Sequence, residues 1–136
     1  ATDIGAVFYE LESVVRDAGR RAARPPGAVV RDGGRGLRLA EIFVPLSGPI
    51  APTGRVRATR LPACRAVSVI HRGTYEGMPA ARQALDRWVA AAGLAAAAPL
   101  RILYLQFGAE PELRVPPGYL VTRAADFVTE LQLPVS

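Results

Sequence analysis

The chain has 136 residues, half of them hydrophobic, with one cysteine, one histidine and a formal charge of +5. That length supports a single domain, 1–136, with its own core, while Cys64 and His71 alone exclude an internal disulfide and a Cys/His metal cluster. No apolar run reaches the length of a membrane span and the N-terminus lacks a signal-peptide pattern, so the expectation is a soluble cytoplasmic protein with no membrane partner.

Thr2 or Asp3 is placed to cap a helix in which Ile4, Val7, Leu11, Val14, Val15 and Ala18 recur with helical period, and Gly19 supplies its stop. After a connection over 20–26, Ala28 to Arg31 and Leu37 to Leu46 read as strands around the turn Asp32-Gly33-Gly34-Arg35-Gly36. Pro49, Pro52 and Gly54 then punctuate a crossing. Beyond it, Arg55 to Leu61 and Cys64 to His71 suggest a strand pair about Pro62-Ala63. Arg55, Arg57, Arg60 and Arg65 cluster here, but without interleaved aromatics or a helix-turn-helix or zinc-finger pattern they read as a solvated face. On an alternating strand, Cys64 and His71 read as a small buried thiol and an edge imidazole rather than a catalytic pair.

A second helix is expected after Thr74, with Pro79 in its first turn, running through Leu85, Trp88 and Val89 to Gly93. Leu100 to Phe107 and Asp126 to Val135 close the chain as strands. Between them, 109–123 carries Pro111, Pro116, Pro117 and Gly118 and reads as an irregular loop, a candidate lid.

These elements repeat. Leu11, Val15, Gly19 and Pro25 recur 74 residues on as Leu85, Val89, Gly93 and Pro99, and Ala40-Glu41-Ile42-Phe43-Val44-Pro45-Leu46 is echoed by Thr129-Glu130-Leu131-Gln132-Leu133-Pro134-Val135. The expected fold is α+β: two strand-helix-strand-strand units, about 1–48 and 55–136, related by a pseudo-twofold, forming an antiparallel sheet with two helices on one face and a central ligand cleft. The first strand of unit one would lie about ten residues ahead of Ala1. Strand alternation puts Leu39, Glu41 and Phe43 on one face and Ile102, Tyr104 and Gln106 on another, so that Glu41, Glu130 and Tyr104 are expected to look into the cleft. An acid on an apolar strand is costly unless something satisfies or uses it.

His71-Arg72-Gly73-Thr74-Tyr75-Glu76, the helix ending Leu85-Asp86-Arg87-Trp88-Val89-Ala90-Ala91-Ala92-Gly93-Leu94, the closing strand 129–135 and the opening Ile4-Gly5-Ala6-Val7-Phe8-Tyr9-Glu10-Leu11 together resemble the gyrase-inhibitor-like (GyrI-like) effector-binding domains. Such domains occur at the C-termini of MerR-type and AraC-type transcription regulators and as free-standing proteins. The resemblance implies multidrug-type recognition of apolar, aromatic or cationic compounds without a cofactor, with Glu130 as pocket carboxylate. Tyr104, Trp88, Tyr75, Phe8, Tyr9 and Glu41 are the further candidates for the ligand site. DNA would be reached only through a domain outside this chain, and a homodimer is compatible with the resemblance. It also implies an alternative, because some free-standing members look like hydrolases that use pocket glutamates, here Glu130 and Glu41, on reactive small molecules. The basic overall charge argues against cations and leaves neutral or anionic aromatic ligands open.

Overall fold

A computed structural model describes residues 4–31, 37–108 and 120–136. Its elements are α1 (Ile4–Asp17), β1 (Gly27–Arg31), β2 (Arg38–Phe43), β3 (Ala66–Arg72), α2 (Met78–Ala91), β4 (Arg101–Gln106) and β5 (Val128–Pro134), with short 3₁₀ turns at Tyr75–Gly77 and Ala124–Asp126. The five strands form one antiparallel sheet in the order β2-β1-β4-β5-β3.

The duplication is written into the register of this sheet. At its centre β1 pairs with β4, and Ala28 lies opposite Ile102, the residue 74 positions further on. Gly27 opposes Leu103 and Val29 opposes Arg101, so the pairing maps onto itself when the halves are exchanged. The pseudo-twofold therefore passes through the Ala28–Ile102 pair.

Both helices end alike. Gly19 and Gly93 adopt φ of +68° and +73°. The amide of Arg20 donates to Val15 at 3.2 Å and that of Leu94 to Val89 at 3.0 Å, the six-to-one bond of a Schellman ending that favours glycine. The start of α2 falls later than the residue after Thr74, because Tyr75–Gly77 first make a 3₁₀ turn; Pro79 then occupies the opening of the helix, where its missing N–H costs nothing.

One face of the sheet carries the core. Ala28, Val30, Ile102, Tyr104, Leu131 and Leu133 meet Met78, Leu85 and Val89 of α2, with Leu100 and Phe107 completing the cluster and Phe8 of α1 packed against it. The opposite face carries the alternate residues, among them the row Leu103, Glu130 and Ile70.

Three expectations need correction. Arg55 to Leu61 is not a strand: only an isolated bridge joins Thr53 and Val56, and β3 pairs with β5 instead. Within that segment Val56 alone is a buried large apolar residue, so no alternating face exists to hold it in a sheet. Leu39 and Glu41 do not share a face, because a register shift between Val29 and Val30 sets Leu39 beside Val30, on the core side, and Glu41 beside Val29, on the other. A second shift separates Gln106 from Tyr104 in the same way. In the sheet β3 lies outside β5, and among the described residues no strand occupies the equivalent place outside β2, where the first strand of unit one, expected ahead of Ala1, would fall. Most of the expected 109–123 loop lies outside the described residues; its end is anchored where Leu120 bridges to Phe107.

Candidate functional site

A hollow of about 440 Å³ lies at the seam of the halves. Unit one contributes Ile4, Gly5, Phe8, Tyr9 and Glu12 from α1, with Pro26; unit two contributes Tyr75, Tyr104, Phe107 and Gly108. Ile4, Phe8 and Glu12 are spaced by four and share one helix face. Tyr104 reaches the same space from β4, directly after the central pair.

Tyr104 is the hub of the aromatic wall. Its ring meets Phe8 edge-on at 5.6 Å and Tyr75 at 5.8 Å, and Tyr75 stacks on Phe127 at 5.0 Å. The turn presenting Tyr75 is held from below. Nε2–H of His71 donates to the Thr74 carbonyl at 2.7 Å, and the Gly73 amide to Phe127 at 2.8 Å. Gly73 has φ +110°, and a Cβ on Gly77 would stand 2.7 Å from the His71 ring, so both glycines are needed for this close turn. His71 is thus a structural support for the cavity wall.

Burial raises the Tyr75 phenol to about 12. Burial, with the nearby Tyr75 adding to it, raises that of Tyr104 further. Both phenols are therefore neutral throughout the neutral pH range and offer an O–H donor and a lone pair to the hollow.

The cavity does contain a carboxylate, and it is Glu12. Only 4% exposed, Glu12 accepts from Arg21 Nε at 2.7 Å and from Nη2 at 3.4 Å. Nη1 of Arg21 donates to the carbonyls of Ala22 and Arg24. The pair satisfies a charge that burial alone would make prohibitive.

Of the candidates named from sequence, the structure brings Phe8, Tyr9, Tyr75 and Tyr104 together at this hollow. It does not bring Glu130, Glu41 or Trp88 there. Glu130 sits half-buried on the opposite sheet face, beside Leu103 and Ile70, and accepts from the Gln132 amide. Glu41 lines a smaller hollow of about 280 Å³ with Val7, Glu10 and Leu11 of α1 and the 55–59 segment, where Arg55 pairs with Glu10 at 2.7 Å. Trp88 projects from α2 and is 57% exposed. The register shifts and the alternation of β5 explain the misplaced acids. Sequence reading missed Glu12, although it falls in the Ile4–Phe8 stripe and so interrupts an otherwise apolar face; nothing in the sequence marks Arg21 as its partner.

An open α+β fold with an aromatic-walled hollow between twinned halves defines a small-molecule binding domain. Residues 35–136 match the profile of the GyrI-like small molecule binding domain, and the chain belongs to that family. Two solved structures are similar in fold. The crystal structure of the EcmrR C-terminal domain superposes with a TM-score of 0.79 at 20% identity, over 96% of this chain and 80% of that one. The EcmrR–DNA complex in EcmrR-RPo, solved by cryo-electron microscopy, gives 0.77 at 21% identity, over 98% of this chain and 47% of that one. The chain thus spans about half the length of that DNA-bound protein. No curated protein sequence matches. Among the described residues no helix is long and apolar enough to cross a membrane.

Proposed function

We propose that the seam cavity is the effector site and that the chain is the sensing part of a transcription regulator, taking up an aromatic or otherwise apolar compound. The observation that carries this reading is the position of the hollow, whose wall is drawn from α1 on one side and from β4 and the Tyr75 turn on the other. A ligand there touches both halves at once and favours whichever relative arrangement fits it, which is the differential affinity that switching requires. The fold likeness to a domain of a DNA-bound protein supports the regulator role; DNA contact belongs to a part of the protein outside this chain.

The hydrolytic alternative rested on Glu130 and Glu41 acting together. They lie on the sheet face away from the aromatic hollow, and Glu12, the acid that does line it, is held by Arg21. These placements favour binding without turnover.

Titration calorimetry against a panel of two-ring aromatic compounds tests the site. Tyr9→Ala and Tyr75→Leu, both at partly exposed positions of the wall, are expected to weaken a bound compound by about tenfold each, from the loss of aromatic contact. Trp88→Ala is expected to leave affinity unchanged. Full affinity in both tyrosine variants would remove the ligand from this cavity.

A further inference from the structure

We infer that the cavity selects a neutral aromatic compound bearing an N–H or O–H donor over a permanent organic cation, with the Arg21-held carboxylate of Glu12 as the acceptor for that donor. The inference rests on the binding reading above and adds the chemical class of the ligand.

Among the described lining residues Glu12 is the one ionised group. A carboxylate offers about four acceptor positions. Arg21 occupies two, one of them at a long 3.4 Å, which leaves acceptor capacity at the cavity wall. Arg21 itself is fixed: its remaining terminal nitrogen is held by the carbonyls of Ala22 and Arg24, just beyond the Schellman ending of α1. The counter-charge therefore stays beside Glu12 whatever enters.

This decides between ligand charges. An entering cation loses its hydration and meets a carboxylate already paired at 2.7 Å with Arg21, whose positive charge offsets much of the attraction. A neutral donor loses much less on desolvation and gains a charge-assisted hydrogen bond without disturbing the pair. Ring faces are the other means of holding a cation. Here, however, Tyr104 is engaged edge-on by Phe8 and Tyr75, and one face of Tyr75 is covered by Phe127. The two raised phenols stay neutral, so they add no anionic charge. The chain's +5 charge opposes the approach of cations as well.

Three probes on one ring system test this at pH 7 by calorimetry: 2-naphthol, which carries the donor; 2-methoxynaphthalene, which lacks it; and trimethyl(2-naphthyl)ammonium, a fixed cation. The expected order is 2-naphthol first, the methyl ether about tenfold weaker for loss of one charge-assisted hydrogen bond, and the ammonium no tighter than the ether. An ammonium that binds as well as 2-naphthol, or a methyl ether equal to it, overturns the inference while leaving the cavity a binding site. Failure of all three on folded protein overturns both readings. Arg21→Met supplies a second arm, because it leaves the carboxylate without its counter-charge. The ammonium is then expected to gain at least tenfold relative to 2-naphthol, and an unchanged order in folded Arg21→Met also overturns the inference. The wild-type ranking decides the question by itself where that variant does not fold.

Discussion

The Glu12–Arg21 pair ties the cavity wall to the chain just beyond α1. Its groups are 5% and 11% exposed, in the range where breaking a pair is far costlier than never having had one. Arg21→Ala is expected to lower the unfolding free energy in urea by about 3–5 kcal/mol, and Glu12→Leu with Arg21→Met together to recover most of that loss. A single variant with no measurable penalty would mean that water reaches the pair. The same residues show where sequence reading stopped. That Phe8, Tyr9, Tyr75 and Tyr104 converge on one cavity was legible, because aromatics on the expected elements meet once the halves are twinned. The carboxylate that lines this cavity was not legible: Glu41 and Glu130 sit on strands, where one residue more or less inverts the face, whereas Glu12 lies on a helix, where a carboxylate between turns of apolar residues resembles a surface position.

At the level of elements, the inner strand β1 begins with a residue that has no side chain. Phe43 covers Gly27 from across the β1–β2 pair, and a Cβ there would run into both its ring and the Ile102 carbonyl. Gly27→Ala is accordingly expected to destabilise the protein by about 1–3 kcal/mol through overpacking, read as a lower urea midpoint with unchanged slope. Leu131→Ala, at a fully buried position on β5, is expected to cost about 2–5 kcal/mol by opening a cavity. The helices and five strands were readable from periodicity and punctuation, with glycine and proline marking the ends. The register shifts were not, since a bulge is fixed by packing across a sheet rather than by local pattern. Nor was the failure of 55–61 as a strand, which followed from its having Val56 alone to bury and so no apolar face to pack.

Considered whole, the two units share one sheet through the β1–β4 pair and one hydrophobic cluster, so unfolding is expected to be a single cooperative transition. Its pH dependence follows from the cavity phenols. Tyr75 is raised from 10.0 to about 12 and Tyr104 is raised as well; the folded state therefore holds these protons more tightly than the unfolded chain. Their contribution is complete below about pH 10 and is lost as pH climbs through about 12. Urea midpoints are expected to fall between pH 9 and 11.5, and tyrosine absorbance to show a late-titrating fraction that disappears on unfolding. Cavity phenols that ionise at the ordinary value would refute this.

The strand order carries a further consequence for biosynthesis. Among the described residues β3 has β5 as its one neighbour in the sheet, yet the whole of α2 and β4 must leave the ribosome before β5 does. In the interval a nascent segment bearing Val67, Val69 and Ile70 has no mate for its backbone, the condition under which growing chains stick to one another. Arg65 and Arg72 bracket that segment and serve as charged gatekeepers for it.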